Sequence, residues 1–434
     1  MRRYEKGHPK LLNAWAFYDW ANSVYSLVIA TAIFPLYYDS LFSSLGRDSL
    51  QIFGILVDKT SFISYIMAVG FLVVVLISPI LSGVADYLGN KKHFLRFFCY
   101  LGSFCCMGLY FFSIDESNLL VSSLLYIGAL VGFWGSIVFY NSYLPEIAYP
   151  NQQDRISAKA FSFGYFGSVI LLIVILAVLM QVDDSHKLQV MKISFISVGL
   201  WWFGFSHITY RKLPPVQIKG KMTLDAFTKG FNELNQVRKK IIKNPYLFKY
   251  LTAFSVFNMA VQTVMAIAVY FGTTAINWES ENEKRSGLIV SVLIIQLVAI
   301  LGAWVISKGS EKFGNIKTLI VVNIFWLIIC VFAYYTYEPI EFYSIAAAVG
   351  FVMGGIQSLS RSTYSKLIPQ KEKDTTSFFS FYDVTEKLGI VIGMMLYGYL
   401  NDLTGNIRIP IILLTSFFAL GVFLLGRIQL KKND

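Results

Sequence analysis

The sequence predicts an all-α, polytopic membrane protein in which twelve transmembrane helices form two pseudo-symmetric six-helix bundles. Three observations predict this class: the composition, the spacing of long apolar segments, and a repeat between the two halves of the chain. Hydrophobic residues make up 56% of the 434 residues, and charged residues make up only 15%. Because soluble domains carry about 25% charged residues, this composition indicates a chain that lies mostly in lipid.

Twelve segments are apolar enough to cross a bilayer, since a spanning helix needs about 20 mostly apolar residues. We predict the spans, in chain order, at residues 12–37, 60–84, 93–113, 119–142, 159–180, 191–210, 248–274, 287–306, 317–336, 342–364, 377–400 and 409–427. A longer polar segment separates the first six spans from the last six. The predicted parts are therefore an N-terminal bundle (1–210), a linker (211–247) and a C-terminal bundle (248–434).

The basic residues between the spans predict the orientation of the chain. With the N-terminus inside, 27 of the 37 Lys and Arg residues fall in or at the edges of inside segments, and seven fall outside. Positive charge concentrates on the cytoplasmic side of membrane proteins, so both termini are predicted to be cytoplasmic. The net charge of +11 then follows from topology, and no nucleic-acid partner is expected.

The linker carries the pattern of a basic amphipathic helix. Apolar residues recur at helical spacing between positions 224 and 241, and four basic residues follow toward the end of the segment: Arg238, Lys239, Lys240 and Lys243. This pattern predicts a helix on the cytoplasmic membrane surface. A plain connection between the two bundles is the alternative.

The chain lacks the residue patterns of an enzyme, a metal protein or a nucleotide-driven pump. Its four cysteines and four histidines are scattered without metal-ligand or redox spacing, so no metal and no cofactor are expected. No Ser/His/Asp or paired-carboxylate arrangement stands at catalytic spacing, and no phosphate-binding GxxxxGK loop is present. We therefore predict a protein that is not an enzyme and whose energy, if any, comes from a gradient.

Two pairs of segments repeat between the halves of the chain. SGVADYLGNKK (82–92) follows the second span, and SKGSEKFGNIK (307–317) follows the eighth, with four identical positions at an offset of 225. FSFGYFGS (161–168) begins the fifth span, and FSFYDVTE (379–386) begins the eleventh, at an offset of 218. Two halves of the same orientation imply a pseudo-twofold axis along the membrane normal.

With these features the chain resembles the major facilitator superfamily of transporters. The signature of that superfamily after the second span is a small residue, an acid four positions on, then glycine and basic residues. We assign a loop latch to the matching residues, which are Ser82, Gly83, Asp86, Gly89, Lys91 and Lys92, and to Glu311, Gly314 and Lys317 in the second copy. This chain departs from the signature, because Ser82, Tyr87 and Asn90 replace a glycine, an arginine and a basic residue.

The latch has a mechanical interpretation. Small Ser82 and Gly83 would let the second span pack closely on the eleventh. Asp86 would then face the N-terminal end of the eleventh span near Thr375 and Thr376, where unpaired N–H groups carry partial positive charge. Such a latch would favour a closed cytoplasmic side, and Lys91 or Lys92 would have to supply the positive charge.

Three further segments narrow the resemblance: FYDWANSVYSLVIATAIFP (17–35), GGIQSLSRSTYSKLIP (354–369) and FFSFYDVTEKLGIVIG (378–393). They resemble the subgroup that includes the fungal vacuolar amino-acid effluxers (autophagy-related permeases) and their bacterial relatives. The resemblance implies secondary-active transport of a small polar organic solute by rocker-switch alternating access, with an amino acid and export favoured. It also implies a monomer in the lipid bilayer of a bacterial inner membrane, with protons as a candidate coupling ion.

Polar residues on the spans that line the cavity in this superfamily are the candidates for substrate binding. Those spans are the first, fourth, seventh and tenth, and the candidates are Tyr18, Asn22, Tyr25, Trp134, Tyr140, Asn258, Gln262, Gln357 and Arg361. Together they would make a polar, aromatic-edged site for a small zwitterion. Hydrogen bonding between helices is the alternative role for each of them.

Several ionisable residues stand inside predicted spans, where burying charge is expensive. Asp383 and Lys387 are spaced to pair on one helix face, which leaves Glu386 without a local partner. Three interpretations remain open. The first is a cytoplasmic gate, the second is a proton carrier (Asp19 or Glu386), and the third is purely structural pairing. The gate would use Asp19, Arg361, Asp383, Glu386 and Lys387.

Two other functions compete with amino-acid transport. A multidrug or lipid-like effluxer is suggested by the 16% aromatic residues, although aromatic residues in spans more often serve packing and interfacial anchoring. A sensor that does not transport, built on a transporter fold and signalling through the linker helix, is the second.

Overall fold

A computed structural model describes residues 4–52, 55–214 and 224–428. The helices are span 1 (Pro9–Val24, Tyr25–Ile33 and Phe34–Ser44), span 2 (Lys59–Leu88), span 3 (Lys91–Gly108, then Leu109–Phe111), span 4 (Glu116–Asn141, then Leu144–Ile147), span 5 (Pro150–Gln181), span 6 (Asp184–Lys212), the linker helix (Leu224–Lys243), span 7 (Pro245–Thr274), span 8 (Glu281–Phe313), span 9 (Asn315–Tyr334), span 10 (Pro339–Leu367), span 11 (Thr375–Thr404) and span 12 (Ile409–Gly426). The predicted all-α, polytopic fold class is confirmed.

Eleven helices among the described residues are long and apolar enough to cross a membrane. Span 11 is not one of them, although its 30 residues match the length of its neighbours. It carries Asp383, Glu386 and Lys387 within its apolar stretch. The helix that fails a purely apolar criterion is therefore the one that holds the candidate ionic site.

Span 1 changes its helical type in the middle. Residues Tyr25–Ile33 form a π-helix between two α-helical parts. The Thr31 hydroxyl donates to the carbonyl of Ser26, five residues earlier, at 2.8 Å, which matches the wider π-helical turn. Pro35 follows directly and has no backbone N–H to continue an α-helical ladder. The sequence pattern did not predict this change.

A short antiparallel hairpin, β1 (Ser49–Ile52) and β2 (Ile55–Asp58), connects span 1 to span 2. Asp58 ends the hairpin and caps span 2, because its carboxylate accepts hydrogen bonds from the backbone of Thr60 at 2.7 Å and of Ser61 at 3.4 Å. The Thr60 hydroxyl and backbone N–H together lower the pKa of Asp58. The hairpin was not predicted, and its only sequence signal is the β-branched and apolar run between positions 50 and 57.

The contacts divide the chain into two compact units. The first unit is Met1–Asn141 with Phe163–Phe231, and the second is Ser142–Ser162 with Asn232–Asp434. The end of span 4 and the start of span 5 therefore group with the C-terminal helices. The functional parts 1–210, 211–247 and 248–434 stay a prediction, and residues 215–223 of that linker lie outside the described residues.

Glycines set the closest helix crossings in each unit. In the first unit, a Cβ on Gly132 of span 4 would overlap the backbone of Gly102 of span 3. In the second unit, a Cβ on Gly302 of span 8 would overlap the Phe351 carbonyl of span 10, and one on Gly354 would overlap the Ala299 carbonyl. Small residues at crossings let backbones approach, which is how helices gain packing contacts within lipid.

Candidate ionic and substrate site

Span 11 of the second unit carries a buried group of three charges, here named the charge cluster: Asp383, Glu386 and Lys387. The Lys387 ammonium donates to Asp383 Oδ1 and lies 3.3 Å from Glu386 Oε2. The Lys387 side chain is 0% exposed, that of Asp383 is 5% exposed and that of Glu386 is 17% exposed. The predicted pairing of Asp383 with Lys387 is present.

The prediction that Glu386 lacks a local partner was wrong. Gln262 of span 7 donates its amide to Glu386 Oε1 at 3.0 Å, and Lys387 approaches the other carboxylate oxygen. Gln262 also lies 3.5 Å from the side-chain oxygen of Asn258. Spacing rules within one helix could not reveal a partner on span 7. Spacing rules also assume that adjacent residues on a helix point in different directions. The long Lys387 side chain nevertheless reaches the carboxylate of its neighbour Glu386.

Two glycines bring span 7 and span 11 together at this site. A Cβ on Gly393 would overlap the Thr263 hydroxyl, and one on Gly389 would lie 3.4 Å from Met259. Because Gln262 adjoins Thr263, this close crossing carries its amide to Glu386. The glycines therefore position the cluster as well as packing the helices.

The charges of the cluster do not balance. Two carboxylates share one ammonium, and Asp383 Oδ2 has no hydrogen-bond partner among the described residues. Uncompensated buried charge is costly in a low-dielectric interior. Glu386 is the most exposed member of the cluster.

Arg361 of span 10 contacts the start of span 5 within the second unit. It is 4% exposed. Its Nε donates to Ser157 Oγ at 3.0 Å, its Nη2 donates to the Ser157 carbonyl at 3.1 Å, and its guanidinium lies 4.2 Å from the centre of the Phe161 ring. Sequence reasoning missed Ser157 and Phe161. The repeat that begins at position 161 was the one signal that this part of span 5 matters.

A second buried acid, Asp154, was also missed. It is 4% exposed and accepts hydrogen bonds from the Lys366 ammonium, from Asn315 at 2.9 Å and from Ser310 at 3.1 Å. Asn315 also donates to Thr363 at 2.9 Å. Asn315 belongs to the second copy of the repeated loop, which could have pointed to this network. It joins the start of span 5 to spans 8, 9 and 10 within the second unit.

The two copies of the predicted latch both have a positive-φ glycine but differ in their contacts. Gly89 and Gly314 both end a helix with positive φ, at 66° and 85°. In the second copy, Glu311 and Lys317 are exposed, and Asn315 makes the buried contacts instead. Their ψ angles differ, at 30° for Gly89 and 153° for Gly314, so the two copies differ in backbone conformation as well as in partners.

In the first copy, Ser82 is fully buried, Asp86 is 9% exposed and Lys92 donates to the Leu213 carbonyl at 3.0 Å. Lys91 is partly exposed. The packing of Gly83 on span 11 stays a prediction. The atoms nearest a Cβ on Gly83 belong to Gly230 of the linker helix, whose carbonyl it would overlap. The sequence pattern showed that a close neighbour was needed but not which helix supplies it.

The candidate substrate residues of the first unit lie in its interior. Tyr18, Asn22, Tyr25 and Tyr140 are at most 2% exposed. The Tyr140 ring stacks on Trp15 with centroids 4.6 Å apart, and the Tyr25 ring lies 4.8 Å from Phe133. Direct substrate contact stays a prediction for these four. Asp19, on the same helix, is 7% exposed.

Two other candidates are partly exposed. Trp134 lies beside Phe133, with ring centroids 5.1 Å apart, in the first unit. Gln357 of the second unit donates to the Met265 sulfur at 3.4 Å. Neither contact tests a role in substrate binding.

The helical architecture and the charges within it define a polytopic membrane transporter of the major facilitator type. The chain resembles the solved fucose:proton symporter FucP of E. coli at 14% identity, with a TM-score of 0.68 over 97% of this chain and 98% of that one. It resembles the proton:xylose symporter XylE at 11% identity, with a TM-score of 0.70 over 97% and 95%. At these identities the likeness shows the fold.

Sequence comparison identifies the family. Residues 7–434 match the family described as "Vacuole effluxer Atg22 like", and the chain belongs to that family. The MFS-type transporter YxiO of Bacillus subtilis is 30% identical over 98% of this chain and 95% of its own. Autophagy-related protein 22-1 of Penicillium rubens is 24% identical over 92% of this chain and 80% of its own. The expected family is confirmed.

Proposed function

We propose that the protein is a secondary-active exporter of a small polar organic solute, with amino acids as the substrate class, working by rocker-switch alternating access. The observation that carries this proposal is the charge cluster with its Gln262 contact. A buried set of unbalanced charges on a spanning helix is expensive unless it serves function. The family description, which names vacuole effluxers, supports the direction and is consistent with the substrate class.

The chemistry of the cluster suits an amino acid. Glu386, Gln262 and Asn258 offer side-chain oxygens that can accept hydrogen bonds from a substrate ammonium group. Arg361 supplies a cation elsewhere in the second unit for a carboxylate, if the bonds to Ser157 are exchanged for bonds to substrate. The same groups would give little advantage to a lipophilic substrate.

The cluster is proposed to act as a gate, in which the bonds of Lys387 to Asp383 and Glu386 hold one state closed. Proton carriage by Glu386 is the alternative. The presence of two carboxylates for one ammonium in the cluster favours proton carriage. Asp19 stays the other carrier predicted from the sequence. Both termini are proposed to be cytoplasmic and the protein to act as a monomer in the inner membrane of a bacterium.

Flux measurements with the reconstituted protein test the proposal. Purified protein in liposomes should carry radiolabelled amino acids across the membrane, and an imposed pH gradient should accelerate that flux if protons couple. Absence of transport of every amino acid, with and without the gradient, would contradict the proposed substrate class.

Glu386→Gln separates the gate from the proton carrier. The amide retains the size of the carboxylate but cannot exchange a proton. A carrier role predicts loss of the pH-gradient effect, by tenfold or more, with exchange between equal pH values preserved. A gate role predicts that both fluxes change together. The matched control is Ser168→Ala at the equivalent position of span 5, which should change neither flux.

A further inference from the structure

The linker helix and the first turn of span 7 present a group of exposed cations, here named the basic face: Arg238, Lys239, Lys243 and Lys249. All four belong to the second unit. The opposite side of the same segment is buried, because Val237, Ile241 and Leu247 are at most 5% exposed. The orientation of the basic face is therefore set by packing.

The nearest acids do not cancel these charges. Lys240, on the inward side, lies 2.7 Å from Glu372 and 3.2 Å from Asp374. Burial lowers the pKa of Lys240, but its hydrogen bonds to the two carboxylates outweigh that effect and raise the pKa overall. Among the described residues, none of the four cations of the basic face has an ion-pair partner. The face therefore keeps its full positive charge.

Two further cations, Lys371 and Lys373, alternate with the acids that Lys240 binds, and both are exposed. Because this loop carries two lysines and two acids, its own net charge is zero. The positive excess therefore comes from the linker helix and the first turn of span 7.

Exposed apolar side chains stand among the cations. Ile242 is 58% exposed and Phe248 is 49% exposed. Only Asn244 separates the end of the linker helix from the start of span 7 at Pro245. The cations therefore lie within about two helical turns of the start of span 7, close to the level expected for lipid headgroups. Cations that flank apolar side chains at that level suit a surface that is both anionic and partly apolar.

We propose that the basic face binds the headgroups of anionic phospholipids, with Ile242 and Phe248 inserted at the acyl boundary. A juxtamembrane cation within a Debye length of an anionic surface contributes about fivefold in affinity. The four cations should therefore distinguish an anionic phospholipid from a zwitterionic one by well over tenfold. This site is independent of the transported substrate and of the direction of transport.

Native mass spectrometry of the purified full-length protein tests this proposal, with phosphatidylglycerol and phosphatidylcholine added separately at matched concentrations. The wild type should retain phosphatidylglycerol at least tenfold more tightly than phosphatidylcholine. The variant R238Q/K239Q/K243Q/K249Q should lose that preference. Equal retention of the two lipids by the wild type, or an unchanged preference in the variant, would overturn the proposal.

A matched pair of double variants controls for net charge. R238Q/K239Q removes an adjacent Arg and Lys from the basic face, and K284Q/R285Q removes an adjacent Lys and Arg from the start of span 8. The first should lower the affinity for phosphatidylglycerol about 25-fold, and the second should change it less than twofold. An equal loss in both would mean that total charge, not this face, binds the lipid. Tight binding of heparin without phosphatidylglycerol would instead identify a site for a soluble acidic partner.

Discussion

The charge cluster of span 11 has an uncharged counterpart in span 5, its repeat in the first half of the chain. At an offset of 218, the residues of span 5 that correspond to Asp383, Glu386 and Lys387 are Tyr165, Ser168 and Val169. All three are at most 8% exposed, and Ser168 satisfies its hydroxyl by donating to the Gly164 carbonyl at 2.7 Å. The same helical position is thus filled once by ordinary packing residues and once by three charges.

This difference distinguishes the packing that both helices require from the three charges that are present in the second unit. Span 5 also crosses span 1 at glycines, because a Cβ on Gly164 would overlap the Ser23 hydroxyl. Span 11 crosses span 7 at Gly389 and Gly393 in a comparable way. Since close packing at this position is reached without charge in the first unit, packing does not explain the charges in the second. That contrast favours a functional role for the cluster.

The largest effect is expected from removing the cation. Lys387→Met leaves two carboxylates buried without their shared ammonium, which should cost about 3–5 kcal/mol of stability. The matched change in the first unit, Val169→Met, alters only the fit of an apolar side chain and should cost less than about 1.5 kcal/mol. Thermal unfolding of both variants in the same detergent measures the difference. Equal shifts in Tm would mean that Lys387 contributes no more to stability than the packing residue Val169 does.

A smaller effect is expected from the crossings that both units share. Gly354→Ala and Gly132→Ala each place a methyl group against backbone atoms and should cost about 1–3 kcal/mol. Gly398→Ala on span 11 meets nothing within 4 Å and should be neutral or slightly stabilising. Thermal unfolding again provides the measurement. If Gly132→Ala left Tm unchanged while Gly354→Ala lowered it, the helix crossings of the two units would be less alike than the sequence repeat implies.

The smallest effect is expected outside the spans, at the hairpin that only the first unit carries. Asp58→Ala removes the cap of span 2 and should lower Tm by a few degrees at neutral pH. The pKa of Asp58 is lowered in the folded protein, so its stabilisation is present above the unfolded value of about 3.9 and is lost as the pH falls below it. The difference in Tm between wild type and variant should therefore shrink below about pH 4. Asp48→Ala, a change to an 87% exposed carboxylate, is the control.

The positions of the long helices could be predicted because hydropathy over 20 residues is a strong local signal. Each predicted span lies within a long helix or, at its ends, within a few residues of one. The hairpin and the π-helical part of span 1 could not be predicted in this way. The hairpin is short, and the π-helix has the same composition as the α-helix that surrounds it.

The sequence predicted contacts of the candidate site within one helix but missed the contacts between helices. The pair of Asp383 and Lys387 followed from spacing along one helix, and the structure contains it. The contact of Gln262 with Glu386 and the network around Asp154 depend on which helices cross, which spacing does not specify. Gly83 illustrates the same limit, because spacing along span 2 could not predict its close contact with Gly230 of the linker helix.

The most direct test of the account is amino-acid flux through the double variant D383N/K387M in liposomes. The double variant removes Asp383 and Lys387 together and leaves Glu386 with its hydrogen bond from Gln262, so it should lose less stability than Lys387→Met alone. We expect it to be folded and to transport at less than a tenth of the wild-type rate. A folded double variant that transports at the wild-type rate would contradict the claim that the charge cluster controls transport.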